Sequence, residues 1–137
     1  MQLYRRLDGI TDEQAMERFV AELRDRFGVL PASAETLVDV VRLRWRAVEL
    51  GIEKAKVKNG LMLLWFPSDG RSLYYKSHIF EGIMRYTALR QERFVLKQNN
   101  NKVYMTVRNV DSLAEGCRVL DDFAEAVAQC AAEKAKK

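Results

Sequence analysis

The most regular hydrophobic pattern in the chain lies in the segment TDEQAMERFVAELRDRFG, residues 11–28. Its apolar residues recur at helical spacing and, at about 100° per residue, fall within one stripe. They are Met16, Phe19, Val20, Leu23 and Phe27. Thr11, followed three positions later by Gln14, has the pattern of a capping box. Gly28 and Pro31 are typical of a helix end, so the pattern predicts an amphipathic helix that ends near Gly28.

The same predicted helix carries a second stripe, which is made of charged residues. Its members are Arg18, Glu22, Asp25 and Arg26. Because they project away from the apolar stripe, we expect them to share one exposed face. Two interpretations of this face remain open from the residues alone. It is either a solvated helix surface or a surface that docks onto another protein.

A second amphipathic helix is predicted for SAETLVDVVRLRWRAVELG, residues 33–51, with Ser33 as its N-cap and Gly51 just past its end. Its apolar face is formed by Leu37, Val40, Val41 and Val48. Arg44 falls in the middle of that face. A buried charge without a partner is costly, so we expect Arg44 to be largely covered and hydrogen-bonded.

Two hairpins follow from the turn residues and the strand-like segments around them. Asn59-Gly60 is the favoured two-residue turn, and it lies inside KAKVKNGLMLLWF, residues 54–66. The second strand of this hairpin is continuously apolar, which predicts that both of its faces are covered. RFVLKQ and KVYMTVR flank three asparagines and predict the second hairpin, over residues 93–108.

Two further helices complete the predicted order of elements. One covers residues 77–91, with Ser77 as a cap and Gly82 as a weak point, because glycine lowers helix stability. The other covers residues 111–137 and starts with a capping box formed by Ser112 and Glu115. The order predicts an α+β fold: two N-terminal helices, β-hairpins forming a small and mainly antiparallel sheet, one middle helix and a long C-terminal helix.

Composition places the chain among folded proteins. It has 137 residues, of which 48% are hydrophobic and 31% charged, and this favours one domain over residues 1–137. We expect residues 1–10 to form a lead-in segment and residues 132–137 a frayed tail. No apolar run approaches the roughly 18–20 residues that span a membrane, and the N-terminus lacks a signal-peptide core. We therefore expect a cytoplasmic protein without a membrane partner.

The residue types that support catalysis are scarce. His78 is the only histidine, so a histidine pair for a metal cannot form. Cys117 and Cys130 lie in one predicted helix, about 20 Å apart along its axis, and we expect both to fill the core. The sequence contains no phosphate-binding loop of the Walker type. We predict that this chain is not an enzyme and holds no metal or cofactor.

The positive charge is concentrated in the middle of the chain. Residues 42–58 hold six basic side chains against two acidic ones. An alternative function follows, in which the chain is a basic module that binds nucleic acid. The residues that would carry it are Arg42, Arg46, Lys54, Lys56 and Lys58. A solvated face remains the simpler interpretation of these charges.

Four motifs in the first half of the chain resemble one known family. They are YRRL at 4–7, ELRDRFGVLP at 22–31, RLR at 42–44 and LGIEK at 50–54. Their order and intervals are similar to those in the carboxy-terminal domain of bacterial transcription-repair coupling factors, the Mfd family. The resemblance covers roughly residues 3–58. From Asn59 onward only the pattern of strands and helices agrees, and the apolar LMLLWF replaces a more polar, glycine-led strand.

The resemblance implies a large parent protein of which this chain is a fragment. Such a parent is an ATP-driven DNA translocase that displaces stalled RNA polymerase and recruits the UvrA excision-repair protein. ATP and magnesium are its cofactors, and double-stranded DNA, RNA polymerase and UvrA are its partners. The carboxy-terminal domain has no catalytic activity. It packs on a UvrB-like module of the same polypeptide and masks the surface that binds UvrA.

The resemblance also gives the charged stripe a role. Glu22, Asp25 and Arg26 match the family positions that contact the UvrA-binding module, and Arg18 lies on the same stripe. We therefore expect these four residues to bind that partner. The alternative, a solvated helix face, remains open until the surroundings of the stripe are known.

Overall fold

The computed structural model describes residues 2–69 and 72–135. The α-helices are α1 (Gln2–Asp8), α2 (Glu13–Phe27), α3 (Ala32–Glu49), α4 (His78–Ala88) and α5 (Leu113–Ala135). The strands are β1 (Lys54–Lys58), β2 (Leu61–Trp65), β3 (Phe94–Asn99) and β4 (Lys102–Arg108). A short 3₁₀ helix, Leu73–Lys76, precedes α4. The predicted α+β class is confirmed, including its long C-terminal helix.

The first ten residues form more than a lead-in segment, because they contain α1. Leu3 and Leu7 are four positions apart and so lie on one side of this short helix. Leu7 is buried beneath it, in contact with residues of α2 and α3. At the other end of the chain, residues 132–135 still belong to α5, whereas residues 136–137 of the expected frayed tail lie outside the described residues.

Two of the predicted helix caps are wrong, and two are confirmed. Asp12, rather than Thr11, caps α2, and its carboxylate accepts a 2.8 Å hydrogen bond from the amide of Ala15. A carboxylate at this position also interacts favourably with the positive end of the helix dipole. Helix α3 begins at Ala32, directly after Pro31, so Ser33 lies inside its first turn. Side-chain caps from serine are present where predicted, at Ser77 and Ser112.

The four strands form one antiparallel sheet in the order β1-β2-β4-β3. The predicted turn between β1 and β2 is confirmed, because Asn59 and Gly60 both adopt positive φ, at 55° and 77°. Asn100 has φ 58° in the turn between β3 and β4. Asparagine tolerates this left-handed conformation better than other residues with a side chain, which explains its use in both turns.

One face of the sheet forms the central core together with helices α3, α4 and α5. The sheet contributes Met62, Leu64, Met105 and Val107, each of which is buried. The helices contribute Leu43, Ala47, Ile83, Leu120 and Phe123. Burial of apolar surface is the main driving force of folding, so this contact between the sheet and the three helices organises the fold.

The other face of the sheet is open, contrary to the prediction for LMLLWF. Leu61 is 38% exposed, and Leu63 and Trp65 are only half-buried. In the described part of the chain the helices lie on the opposite face, so the outward side chains of β2 have no layer above them. The continuous apolar run therefore does not mean that both faces are covered.

Helix α3 is buried on two flanks and separates the central core from a second hydrophobic cluster. This N-terminal cluster consists of Leu7, Met16, Phe19, Leu23, Leu30, Val38, Val41 and Trp45. The opposite flank of α3 supplies Leu43 and Ala47 to the central core, and Leu50, the residue directly after the helix, joins them.

The exposed stripe of α3 lies between these two flanks and contains Arg44. Its side chain is 54% exposed, and its Nη2 atom lies 2.9 Å from the carboxylate of Asp8, itself exposed. Val40 and Val48, one turn away on either side, are also exposed. The prediction that Arg44 is covered is therefore wrong. Of the residues in the predicted apolar face, only Leu37 and Val41 pack in the N-terminal cluster, whereas Val40 and Val48 share the exposed stripe with Arg44.

Gly82 lies where α4 crosses α5 at close range. A Cβ atom at this position would lie 2.8 Å from the Cα of Val127 and 3.1 Å from its amide nitrogen. Both distances are shorter than ordinary van der Waals contact, so only glycine allows the two helix backbones to approach this closely. The residue that weakened the helix prediction is the residue that permits this packing.

Candidate docking surface on the second helix

Helix α2 is oriented by its apolar residues, and this orientation places its charged stripe outward. Met16, Phe19 and Leu23 are buried in the N-terminal cluster. Arg18, Glu22, Asp25 and Arg26 are all exposed, as predicted. Phe27 is the exception to the predicted apolar stripe, because it is 61% exposed. It is the last residue of the helix, and the chain turns away at Gly28 before another element can cover it.

Glu22 is held by a partner from α1. The Arg6 guanidinium donates two hydrogen bonds to the Glu22 carboxylate, of 3.0 and 2.6 Å. Such two-point contacts fix the geometry of an arginine–carboxylate pair. The hydrogen bonds from Arg6 lower the pKa of the Glu22 carboxyl below its usual value. Glu22 therefore remains ionised at physiological pH and points in one direction.

The remaining charges of the stripe are less constrained. Asp25 and Arg18 form no ion pair with the described residues of the chain. The guanidinium carbon of Arg26 lies 5.6 Å from the ring centre of Phe27, which is within the range of a cation–π contact. Arg26 and Phe27 therefore form one exposed contact between a guanidinium and an aromatic ring, and Asp25 adds an exposed carboxylate in the same last turn of α2.

An open apolar groove continues this surface towards α1 and α3. Its volume is about 510 Å³. Tyr4, Phe27 and Val29 are the most exposed apolar residues that line it, at 62%, 61% and 93%. Contiguous exposed apolar groups with a polar border are typical of protein interaction sites.

The five residues of the alternative nucleic-acid site are not brought together. Arg42 pairs with Glu13 at 2.9 Å and with Asp39 at 3.2 Å, and Arg46 pairs with Asp121 at 2.8 Å. These partly buried ion pairs connect α2, α3 and α5.

The three lysines of the alternative site, Lys54, Lys56 and Lys58, lie elsewhere, on the exposed strand β1. They form no ion pair with the described residues. The five residues of the alternative site therefore form two separate groups. The two arginines lie on α3 and are paired with carboxylates, whereas the three lysines lie on β1 and have no such partner among the described residues.

The residues considered for catalysis differ in exposure, because the histidine is exposed and both cysteines are buried. His78 is exposed at the start of α4. Cys117 and Cys130 are free and buried, as predicted, and burial raises the pKa of the Cys117 thiol. Among the described residues, no three side chains of the metal-binding types come close enough to share an ion. None of the helices in the described ranges combines the length and apolar character needed to cross a membrane.

The surface residues that sequence reasoning missed are apolar or basic. Phe27 was assigned to the buried stripe, and Tyr4 and Val29 were not considered. On the open sheet face, Lys97, Lys102 and Arg108 were missed as partners of the β1 lysines. Alternation along each strand is the signal that could have found these cations, because residues two apart share one face.

Comparisons with known proteins point to one family. The sequence model of the TRCF domain matches residues 1–77 of the 137-residue chain. The transcription-repair-coupling factor of Escherichia coli is 44% identical over 54 residues, which cover 39% of this chain and 5% of that protein. The Rickettsia prowazekii protein of the same name is 26% identical over 103 residues, 75% of this chain and 9% of that protein. The matched segments thus span less than a tenth of the length of these relatives.

A structural comparison extends the likeness beyond the matched sequence. One solved structure is described as the crystal structure of the C-terminal domain of transcription-repair coupling factor. It superposes with a TM-score of 0.68, over 94% of this chain and 78% of that chain, at 13% identity. At this identity the likeness is one of fold. Because the family model matches more than half of the sequence, the chain belongs to the TRCF domain family.

Proposed function

We propose that this chain is a non-catalytic regulatory domain that packs on the UvrA-binding module of its own polypeptide and masks it. The whole chain, residues 1–137, would form one carboxy-terminal domain of a transcription-repair coupling factor. Membership of the TRCF family supports the general role in transcription-coupled DNA repair. The masking role rests on the match of Glu22, Asp25 and Arg26 to the family's contact positions.

The activities of the parent protein form part of the same proposal. The parent would be a cytoplasmic ATP-driven DNA translocase that displaces stalled RNA polymerase and recruits nucleotide excision repair through UvrA. ATP and magnesium would bind to its motor domains, outside this chain. The regulatory domain would contribute only control, by limiting access of UvrA until the parent engages RNA polymerase.

The structural observation that carries the proposal is the exposed group of Asp25, Arg26 and Phe27 in the last turn of α2. It combines an exposed carboxylate, an exposed guanidinium and an exposed aromatic ring next to an apolar groove. Protein interfaces often have an apolar centre and a polar rim, with aromatic residues and arginine enriched. Charges of both signs suit a partner protein that must dock in one register better than they suit a polyanion.

Arg6, which belongs to α1, also lies at this surface. It orients the Glu22 carboxylate through two hydrogen bonds. Since both groups are exposed, a basic residue of the partner can share or replace this contact without uncovering the N-terminal cluster. The docking surface would therefore include α1 as well as α2.

A modest interaction energy is sufficient for masking. A closed state favoured by about 3 kcal/mol is occupied about 99% of the time. Attachment of both modules to one polypeptide raises their effective concentration, so the contact can be weak between separated pieces. A polar and reversible interface of this kind allows the parent to open when it binds RNA polymerase.

The test is a comparison of UvrA binding by full-length parent proteins. Changing Glu22, Asp25 and Arg26 together to alanine should leave the domain folded and increase UvrA binding. A matched control is the pair Glu17→Ala and Arg24→Ala, which removes charges of both signs from another side of α2. The control should bind UvrA like the wild type.

Two results would count against the proposal. If the triple variant unfolds in a thermal melt, the stripe is structural. If it folds and binds UvrA at the wild-type level, the docking assignment is wrong. A single Arg6→Ala change then tests the role of α1, because it frees Glu22 without altering the three contact residues.

A further inference from the structure

The open face of the sheet carries a concentration of positive charge. Its outward residues are Lys54, Lys56 and Lys58 on β1, Leu61, Leu63 and Trp65 on β2, Lys102, Tyr104, Thr106 and Arg108 on β4, and Val95, Lys97 and Asn99 on β3. Six of these side chains are cationic. None of the four strands contains a carboxylate.

These six cations are not neutralised within the described residues. None of them takes part in an ion pair, whereas Arg42, Arg46 and Arg93 on the helical side all do. The positive potential therefore extends from one face of the sheet into solvent. A partner that complements this face must be anionic.

The centre of the open face is aromatic and apolar. Trp65 on β2 and Tyr104 on β4 are direct cross-strand partners, and these are the two central strands of the sheet. Both side chains are half-buried, so each presents part of its ring to solvent. Directly paired residues on one face lie about 5 Å apart at Cβ, so Trp65 and Tyr104 occupy adjacent positions at the centre of this face, and we call these two residues the platform.

Cations border this platform on both sides. The register places Lys54 opposite Trp65 on one edge and Lys97 opposite Tyr104 on the other. The Lys54 ammonium lies 5.1 Å from the centre of the Trp65 ring, within cation–π range. A phosphate bound beside the aromatic centre would thus meet an ammonium group already in position.

We propose that the open face of the sheet binds single-stranded nucleic acid. Bases would stack on the platform of Trp65 and Tyr104, and the lysines at the two edges would bind the phosphates. Stacking on aromatic side chains combined with a basic groove is the general mode of single-strand binding. A duplex keeps its bases stacked inside and would leave the aromatic centre unused. A run of aspartate and glutamate would supply negative charge but no aromatic ring to stack on this centre.

The proposed site is separate from the docking surface. Helix α3 and the central core lie between the sheet and the N-terminal cluster on which α2 packs. The proposal therefore neither requires nor supports the masking function. Failure of one leaves the other intact, because the two experiments change different residues.

The test measures binding of the 137-residue chain to a fluorescent oligothymidylate of about 15 nucleotides, a length within the range of single-strand sites. We expect affinity to fall as salt rises from about 50 to 200 mM. Tyr104→Leu should weaken binding by about tenfold and leave the salt dependence unchanged, because it removes stacking and no charge. Lys54→Gln with Lys97→Gln should weaken binding and reduce the salt dependence.

Matched controls and competitors make the result decisive. Arg5→Gln with Arg24→Gln removes the same charge from α1 and α2 and should leave binding unchanged. Thermal melts confirm that each variant is folded. Absence of binding at about 50 mM salt would overturn the proposal. The proposal would also be overturned if a duplex of the same sequence bound equally well and Tyr104→Leu had no effect on binding. Equal competition by a polyglutamate of similar length would assign the face to an acidic protein instead.

Discussion

Replacing Gly82 with alanine tests the close crossing of α4 and α5. The new methyl group would lie 2.8 Å from the Cα of Val127 and 3.1 Å from its amide nitrogen and its Cγ2 atom. Two of these three contacts are with the backbone of α5. Rotation of a side chain cannot relieve them, so the two helices must separate, and this loosens the central core.

Two opposing effects determine the magnitude. Alanine stabilises a helix interior by about 1 kcal/mol relative to glycine. Overpacking in a well-packed core costs about 1–3 kcal/mol, and contact with a backbone places Gly82 at the upper end of this range. The free energy of unfolding should therefore fall by about 2 kcal/mol.

Gly116 in α5 provides a matched control for the same substitution. A methyl group there would lie 3.2 Å from Leu43 Cδ1 and Met62 Sδ and 3.3 Å from Val57 Cγ2. These are the ends of side chains, which can move by a few tenths of an ångström. The gain in helix stability should then roughly balance the packing cost, which leaves Gly116→Ala within about 0.5 kcal/mol of the wild type.

Urea denaturation of the wild type and both variants measures the difference directly. We expect the variants to differ from each other by about 2 kcal/mol, with similar m-values. Equal stability of Gly82→Ala and Gly116→Ala would refute the reasoning, because the two substitutions share the propensity gain and differ only in the contacted atoms. A gain in stability for Gly82→Ala would show that the helices are farther apart than described.

Four further substitutions make smaller predictions, each measured by urea denaturation. Asp12→Ala should cost about 1 kcal/mol as a lost helix cap, whereas Thr11→Ala should change stability by less than about 0.5 kcal/mol. Arg44→Ala should cost less than about 1 kcal/mol, because its ion pair is exposed. Tyr74→Phe should cost about 1 kcal/mol at neutral pH through loss of the 2.8 Å hydrogen bond to the Leu50 carbonyl. Burial raises the pKa of Tyr74 above its ordinary value of 10.0. The neutral phenol therefore contributes its full stability below pH 10.0, and this contribution is lost as the pH rises through the folded-state pKa. Because the Tyr74→Phe variant has no phenol to ionise, it should lose less stability than the wild type in that alkaline range.

Local sequence patterns were sufficient for the features that depend on neighbouring residues. Three features follow from residues that are close in sequence. They are the turn at Asn59-Gly60, the caps at Ser77 and Ser112, and the outward charges of α2. Their physical causes are local: backbone dihedral angles, side-chain hydrogen bonds to nearby amides and the helical period. The structure confirms each of them.

Features that depend on distant parts of the chain could not be predicted in this way. Arg44 is exposed because α3 is buried on two flanks, and a helical pattern does not show how many neighbours a helix has. The open face of β2 depends on which side of the sheet the helices occupy. The pair of Arg6 and Glu22 joins residues 16 positions apart on different helices. The candidate sites were therefore predictable by residue type, but not by which residues meet.

The position of α3 between two hydrophobic clusters divides the domain into units of unequal stability. Among the described residues, the N-terminal cluster contains eight buried side chains from α1, α2, α3 and the segment that joins α2 to α3, whereas the central core contains sixteen. Sub-global opening of α1 and α2 would expose only the smaller cluster, so it requires less free energy than global unfolding. In native-state hydrogen exchange, amides of α2 should exchange well before those of β2 and β4. A partner that binds α2 thus contacts the part of the domain that opens most easily. Its binding should therefore slow the hydrogen exchange of the α2 amides.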